Sequence, residues 1–199
     1  PSPSWDQLRP SITVPRDIFD LLAAPQEATA GLRLVNDVIT EAISAQEVPP
    51  HALHVALMGR DGQWITQTKL VGFADKLGGL ATTLSSGFDI LILGQNPTDM
   101  SAALGRLARL GGGLVVAEGG RDVFSLPLEL GSFSLRPWAE VADANRRFNA
   151  LLHTRGYQFT DPIFSLLFLT FDSLPWIRLT RRGVWDVRNR RVLAPAHTI

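Results

Sequence analysis

The chain predicts an α+β domain with a mixed, largely antiparallel sheet and helices packed on it. Two observations carry this reading. Most apolar runs are short and are joined by tight, glycine-bearing turns rather than long crossovers. The segment from Asp89 to Leu130, DILILGQNPTDMSAALGRLARLGGGLVVAEGGRDVFSLPLEL, reads as strand, capped helix, glycine exit, strand, turn and strand, with almost no slack. Strands and helices do not alternate regularly, which argues against a doubly wound nucleotide fold.

Residues 1–30 read as an extended arm or interdomain linker, and residues 31–199 as the domain proper. The opening PSPSWDQLRPSITVP holds four prolines and little periodicity, as a linker does. Within the arm, Asp17 to Ala24 suits one short helix. Leu32 to Ile39 alternates apolar and polar residues and is read as a single strand, with Ala52 to Met58 as another. The Gly59-Arg60-Asp61-Gly62 turn leads into Gln63 to Val71, whose Trp64-Thr66-Thr68 and Ile65-Gln67-Lys69 faces suit a hairpin partner. Leu80 to Leu84 is a weaker strand, and Asp89 to Gly94 is a short apolar one ended by glycine. Asn96 then sits where an N-cap belongs, Pro97 occupies the first helical position, and Asp99 lies near the positive end of the helix dipole. Met100, Ala103, Leu104, Leu107 and Leu110 form one apolar stripe, Arg106 and Arg109 lie near the negative end, and Gly111-Gly112-Gly113 stops the helix. Arg121 to Leu130 pairs back through the Glu118-Gly119-Gly120 turn. Trp138 to Arg155 is an amphipathic helix with Val141, Ala142, Asn145, Phe148 and Leu152 on one side, released at Gly156. Asp161 caps a short apolar helix starting at Pro162. Two short strands follow, Ile177 to Thr180 and Val184 to Val187, and His197 falls in a tail.

At 199 residues the chain supports one sizeable core. Lys+Arg and Asp+Glu are equal at 19 each, so no net field attracts nucleic acid or an anionic membrane, and neither is expected as a partner. The chain contains no cysteine, which excludes disulfides, thiolate metal ligands and cysteine nucleophiles and fits a cytoplasmic protein. Apolar runs such as Ile163 to Phe171 fall well short of the ~20 residues that span a bilayer. Starting at Pro1 without a charged-then-apolar leader, the chain reads as a fragment or processed product, with no support for secretion.

The pieces ILILGQNPTDM, RLARLGGGLVV and SLPLELGSFS with its following amphipathic helix resemble, in order and spacing, the C-terminal domain of bacterial adenine deaminases. GYQFTDPIFSLLFLTFDSLPWIRLTRRGVWDV is similar to that family's closing segment, and LRLVNDVITEA and RDGQWITQTKLVGFADKLGGLATT fit upstream. The resemblance runs from about Leu32 to the C-terminus and points to a divergent, deaminase-like branch. It implies a parent reaction in purine metabolism: metal-dependent hydrolysis of adenine, or a related purine, to hypoxanthine and ammonia. The divalent metal (Mn, Fe or Zn) belongs in the family's amidohydrolase barrel, on a His-x-His pair, further histidines, a bridging Lys or Glu, and an Asp. That barrel, as domain or subunit, is the implied partner, and a homo-oligomer is expected. The alternative is a stand-alone, non-catalytic binding or assembly module derived from the same domain.

The chain's four histidines are His51, His54, His153 and His197, and none forms His-x-His or HExxH. No catalytic, cofactor-binding or metal-ligating residue is therefore assigned, and the isolated chain is predicted to be inactive. His51 and His54 follow Pro49-Pro50 and lead into a strand, so they read as rim residues on opposite faces rather than a metal pair. His153 reads as a helix-end cation. Main-branch members of the family carry His-Asp-Ser-His just before the strand that corresponds to Asp89–Gly94; here the sequence is Leu84-Ser85-Ser86-Gly87-Phe88-Asp89. Ser85, Ser86 and Asp89 remain able to hydrogen-bond a ligand, or form a plain turn with an Asp cap. Lys69, ahead of the glycine-bearing VGFADKLGGL loop, completes the set of cleft or interface candidates. Asn96-Pro97-Thr98 resembles an anion cradle whose own side chains already cap the helix. Arg181, Arg182, Arg188, Arg190 and Arg191 read as a solvated face or a docking face for the barrel.

Overall fold

The computed structural model describes residues 10–23 and 30–199. The rest of the predicted arm, residues 1–9 and 24–29, lies outside the described residues. The main sheet is built from β1 (Ala30–Leu34), β2 (Thr40–Ser44), β3 (Leu53–Met58), β4 (Trp64–Val71), β5 (Gly79–Thr82), β6 (Ile90–Gly94), β7 (Gly113–Glu118) and β8 (Arg121–Pro127). They lie in the order β2-β1-β4-β3-β6-β5-β7-β8. Every pair on this path is antiparallel except β1 with β4, which run parallel with Leu32 opposite Leu70. A smaller antiparallel sheet follows the order β11-β10-β9, from β9 (Ile177–Thr180), β10 (Gly183–Asp186) and β11 (Arg191–Pro195). The helices are α1 (Ile18–Ala23), α2 (Pro97–Leu110), α3 (Trp138–His153) and α4 (Pro162–Phe168).

Side chains alternate across the main sheet into two cores. Met58, Ile65, Ile92 and Val115 meet Met100, Leu104 and Leu107 of α2 and Leu22 of α1. On the other face Val55, Leu91, Leu93 and Val116 join Phe148 and Leu152 of α3, Leu166 of α4, and Leu179 and Val184 of the second sheet. Burial on both faces is why β3 and β6 read as continuous apolar runs rather than alternating ones. No helix among the described residues is long and apolar enough to cross a membrane.

Several details depart from the sequence reading, beginning with β11, since no strand is expected after Val187. The run predicted as one strand, Leu32 to Ile39, is the first arm and turn of a hairpin. Asn36 Oδ1 accepts from the N–H groups of Val38 at 2.9 Å and Ile39 at 2.8 Å, an Asx turn that reverses the chain into β2. The polar pair Asn36-Asp37 interrupts the alternation and marks the turn. The tail holds β12 (His197–Thr198), which pairs with β4 at Ile65 and Trp64; two residues are too few for a periodic signal. Finally, His54 is buried on β3 rather than on a rim, while His51 is exposed.

Candidate functional site

The β5–β6 loop is shaped by its own hydroxyls and by one distant segment. Ser85 Oγ donates to the Asp89 carbonyl at 2.8 Å, closing the turn on itself. The Ser86 N–H donates to Thr170 Oγ1 at 2.9 Å, and Ser86 Oγ donates to the Thr170 carbonyl at 2.6 Å. These bonds zip the loop to the segment between α4 and β9. Phe88 holds a φ of 59°, an uncommon conformation for a bulky side chain that the surrounding bonds must over-determine.

Between these segments lies a cavity of about 390 Å³, walled by Ser85, Ser86, Gly87 and Asp89 on one side and by Thr170, Asp172 and Arg181 on the other. A second hollow of about 530 Å³, bounded by Pro10, Thr13, Arg60, Asp61 and Trp64, shares Asp89 and Arg181 with the first. Asp89 thus stands on the partition between the two. Burial raises its pKa above the usual carboxylate range, and the Asp61 charge adds to this, against the N–H of Arg60 and the charges of Arg60 and Arg181. Arg60 is itself held below its ordinary pKa by burial, opposed by Asp89. Its Nε donates to the Phe88 carbonyl at 3.1 Å, while Nη2 is buried without a hydrogen-bond partner.

Three of the four sequence candidates, Ser85, Ser86 and Asp89, therefore meet at one cavity. Lys69 does not join them. It lies opposite His54, which faces Gly94 at the far end of β6, five residues or roughly 16 Å along the strand from Asp89 at ~3.3 Å per residue. The loop after Lys69 is pinned rather than free, with the Asp75 and Lys76 N–H groups donating to the Arg155 carbonyl and Phe73 fully buried. The start of α2 is likewise occupied by its own cap, since Asn96 Oδ1 accepts from Thr98 and Asp99. Sequence reasoning missed Arg60, Thr170, Asp172 and, as a cavity residue, Arg181. They belong to other turns and carry no local signal of convergence.

The chemistry available here is hydrogen bonding and proton exchange by Asp89, which stands between Arg60 and Arg181 with the Asp61 and Asp172 carboxylates on the same walls. A serine nucleophile is not set up, because both hydroxyls donate to carbonyls. No group of three or more His, Asp or Glu side chains that could hold a metal occurs among the described residues. His153 Nδ1 contacts the Tyr157 carbonyl at 2.8 Å, and His197 lies on β12. The donor set of the described residues does not fit the divalent metal that the resemblance implies.

Comparison with known proteins places this geometry in context. The adenine deaminase C-terminal domain family matches residues 29–191. Several relatives carry the name "Putative adenine deaminase". BH0637 of Halalkalibacterium halodurans is 40% identical over 141 residues, which is 70% of this chain and 24% of that protein. YerA of Bacillus subtilis is 38% identical over 144 residues, 72% of this chain and 25% of that protein. The protein named adenine deaminase from Nitratidesulfovibrio vulgaris is 36% identical over 121 residues, 59% of this chain and 21% of its own length. The chain thus spans about a quarter of the length of the curated relatives that it matches.

Proposed function

Because the chain belongs to the adenine deaminase C-terminal domain family, we propose that it is the companion body of an adenine deaminase-like amidohydrolase, presenting its cavity to a barrel that supplies the metal centre. The parent reaction is hydrolytic removal of ammonia from adenine or a related purine. One observation carries the reading. The loop at the position of the main branch's His-Asp-Ser-His stretch, Leu84 to Asp89, forms the wall of the cavity between the β5–β6 loop and β9.

When bound in the barrel, the divalent metal would activate water for attack on the ring. This chain's part is narrower. Asp89, with its pKa raised, is suited to share a proton with a polar ring edge, and Arg181 and Arg60 hold the surrounding charge in balance. Ser85 and Ser86 shape the wall and keep the loop closed. Assay of ammonia release from adenine tests the proposal. The 199-residue chain alone, supplied with Mn, Fe or Zn ions, is expected to give none. The protein assembled with its barrel is expected to turn over, and Asp89→Asn is expected to lower that turnover. Hydrolysis by the isolated chain sinks the reading.

A second reading, a non-catalytic binding or assembly module, draws on the commitment of both serine hydroxyls to backbone carbonyls where the main branch has imidazoles. A chain with no barrel encoded in cis or co-purifying with it would favour that reading.

A further inference from the structure

We propose that the loop from Gly131 to Trp138, together with Phe88, is the surface on which the amidohydrolase barrel seats. The inference rests on the family reading above and names the contact that it requires. Phe88 is 44% exposed, Phe133 63%, Leu135 46% and Trp138 82%. Phe88 and Phe133 touch, with ring centroids 6.2 Å apart. Large apolar side chains gathered in this way mark interaction surfaces, and aromatic residues are enriched there.

The loop that carries them is not slack. Thr83 Oγ1 donates to the Gly131 carbonyl, and Ser132 Oγ donates to the Thr83 carbonyl. The Glu129 carboxylate accepts from the Leu135 N–H at 3.1 Å and from Arg136 Nε at 3.3 Å. Side chains held outward by a stapled loop lose little freedom on docking, which favours a preformed interface.

The path of the chain says what covers them. The carbonyls of Pro10 and Ser11 accept from Arg60 Nη1, each at 3.4 Å. A Cβ placed on Gly131 would lie 3.6 Å from Phe88 Cδ1 and 3.6 Å from Pro10 Cγ. The segment leading toward the N-terminus therefore passes beside Phe88 and Gly131. In a C-terminal domain the rest of the protein arrives from that side, and the relatives carry about three quarters of their length outside the match. The barrel is thereby delivered onto this loop, next to the cavity whose wall includes Gly87. Phe164 and Val192, also exposed, belong to α4 and β11 rather than to this loop.

Carbene footprinting tests the proposal. It compares the 199-residue chain alone with the assembled protein, in which the same residues are joined to, or co-purified with, their barrel. Labelling of Phe133, Leu135 and Trp138 is expected to fall several-fold on assembly while Phe164 and Val192 stay labelled. An active assembly in which Phe133, Leu135 and Trp138 remain fully labelled overturns this surface and leaves the family reading standing. Failure of any barrel to assemble overturns both. Protection that appears in the isolated chain on raising its concentration assigns the surface to self-association instead. The exposed double variant Phe133→Ser/Trp138→Ser supplies a second readout: unchanged melting of the isolated chain with loss of assembly supports the proposal, and retained assembly counts against it.

Discussion

His54 is 5% exposed on β3 and lies opposite Lys69, and its Nε2 has no hydrogen-bond partner. Burial, reinforced by the Lys69 charge and opposed by a hydrogen bond to the Leu22 backbone, drives its pKa from 6.5 to about 4. As pH falls, the unfolded chain takes up this proton first. Stabilisation from the neutral imidazole is thus complete above pH 6.5 and is lost as pH falls from 6.5 through about 4, by up to ~3 kcal/mol. Urea unfolding at pH 7 and pH 4.5 should show the wild type losing more stability than His54→Gln; equal losses would dismiss burial as the cause. Arg178 is a buried charge of another kind, with no exposure and no carboxylate partner among the described residues. Its guanidinium donates to the carbonyls of Val38 at 2.9 Å, Phe168 at 2.7 Å and Pro175 at 2.9 Å. Burial lowers its pKa to about 10, so it stays charged at neutral pH. It ties the β1–β2 turn and the end of α4 to the segment that leads past the cavity.

Among the elements, α2 shows most fully how local chemistry sets structure. Asn96 caps it, Pro97 starts it, and Gly111 ends it at a φ of 78°, in the left-handed region that glycine enters without strain. Asp99 then reaches beyond its own helix and accepts from the N–H groups of Gly119 at 3.1 Å and Gly120 at 2.9 Å, fixing the β7–β8 turn. Asn96→Ala should cost about 1 kcal/mol, read as a lowered thermal midpoint that Asn96→Asp largely restores. All of α2 was legible in the sequence, because capping and helical spacing act within a few residues. The β5–β6 loop was legible only as a turn. Its shape depends on Thr170, and its wall on Arg181, which lie far along the chain and reach it through sheet pairing and packing.

At the scale of the whole molecule, the main sheet is covered on both faces, and α1 belongs to the cover. Ile18 and Leu22 are buried beneath it at 7% and 1% exposure, and Gln67 Nε2 donates to the Leu21 carbonyl at 2.9 Å. This part of the predicted arm contributes to the core of α2 and the sheet. Leu22→Ala should therefore destabilise the chain by roughly 3 kcal/mol in urea unfolding; a cost near zero would mean that α1 rests on the domain without being part of it.

By itself the sequence determined the α+β class, most strand and helix positions, the caps and glycine stops of α2, and the family. Each of these follows from periodicity, capping or ordered motifs written locally along the chain. Tertiary structure alone decided that Ser85, Ser86 and Asp89 share a cavity with Thr170 and Arg181, that Lys69 stands apart from them, and that His54 is buried. Those outcomes depend on register and layer order, which bring together residues whose separation in sequence leaves no local mark.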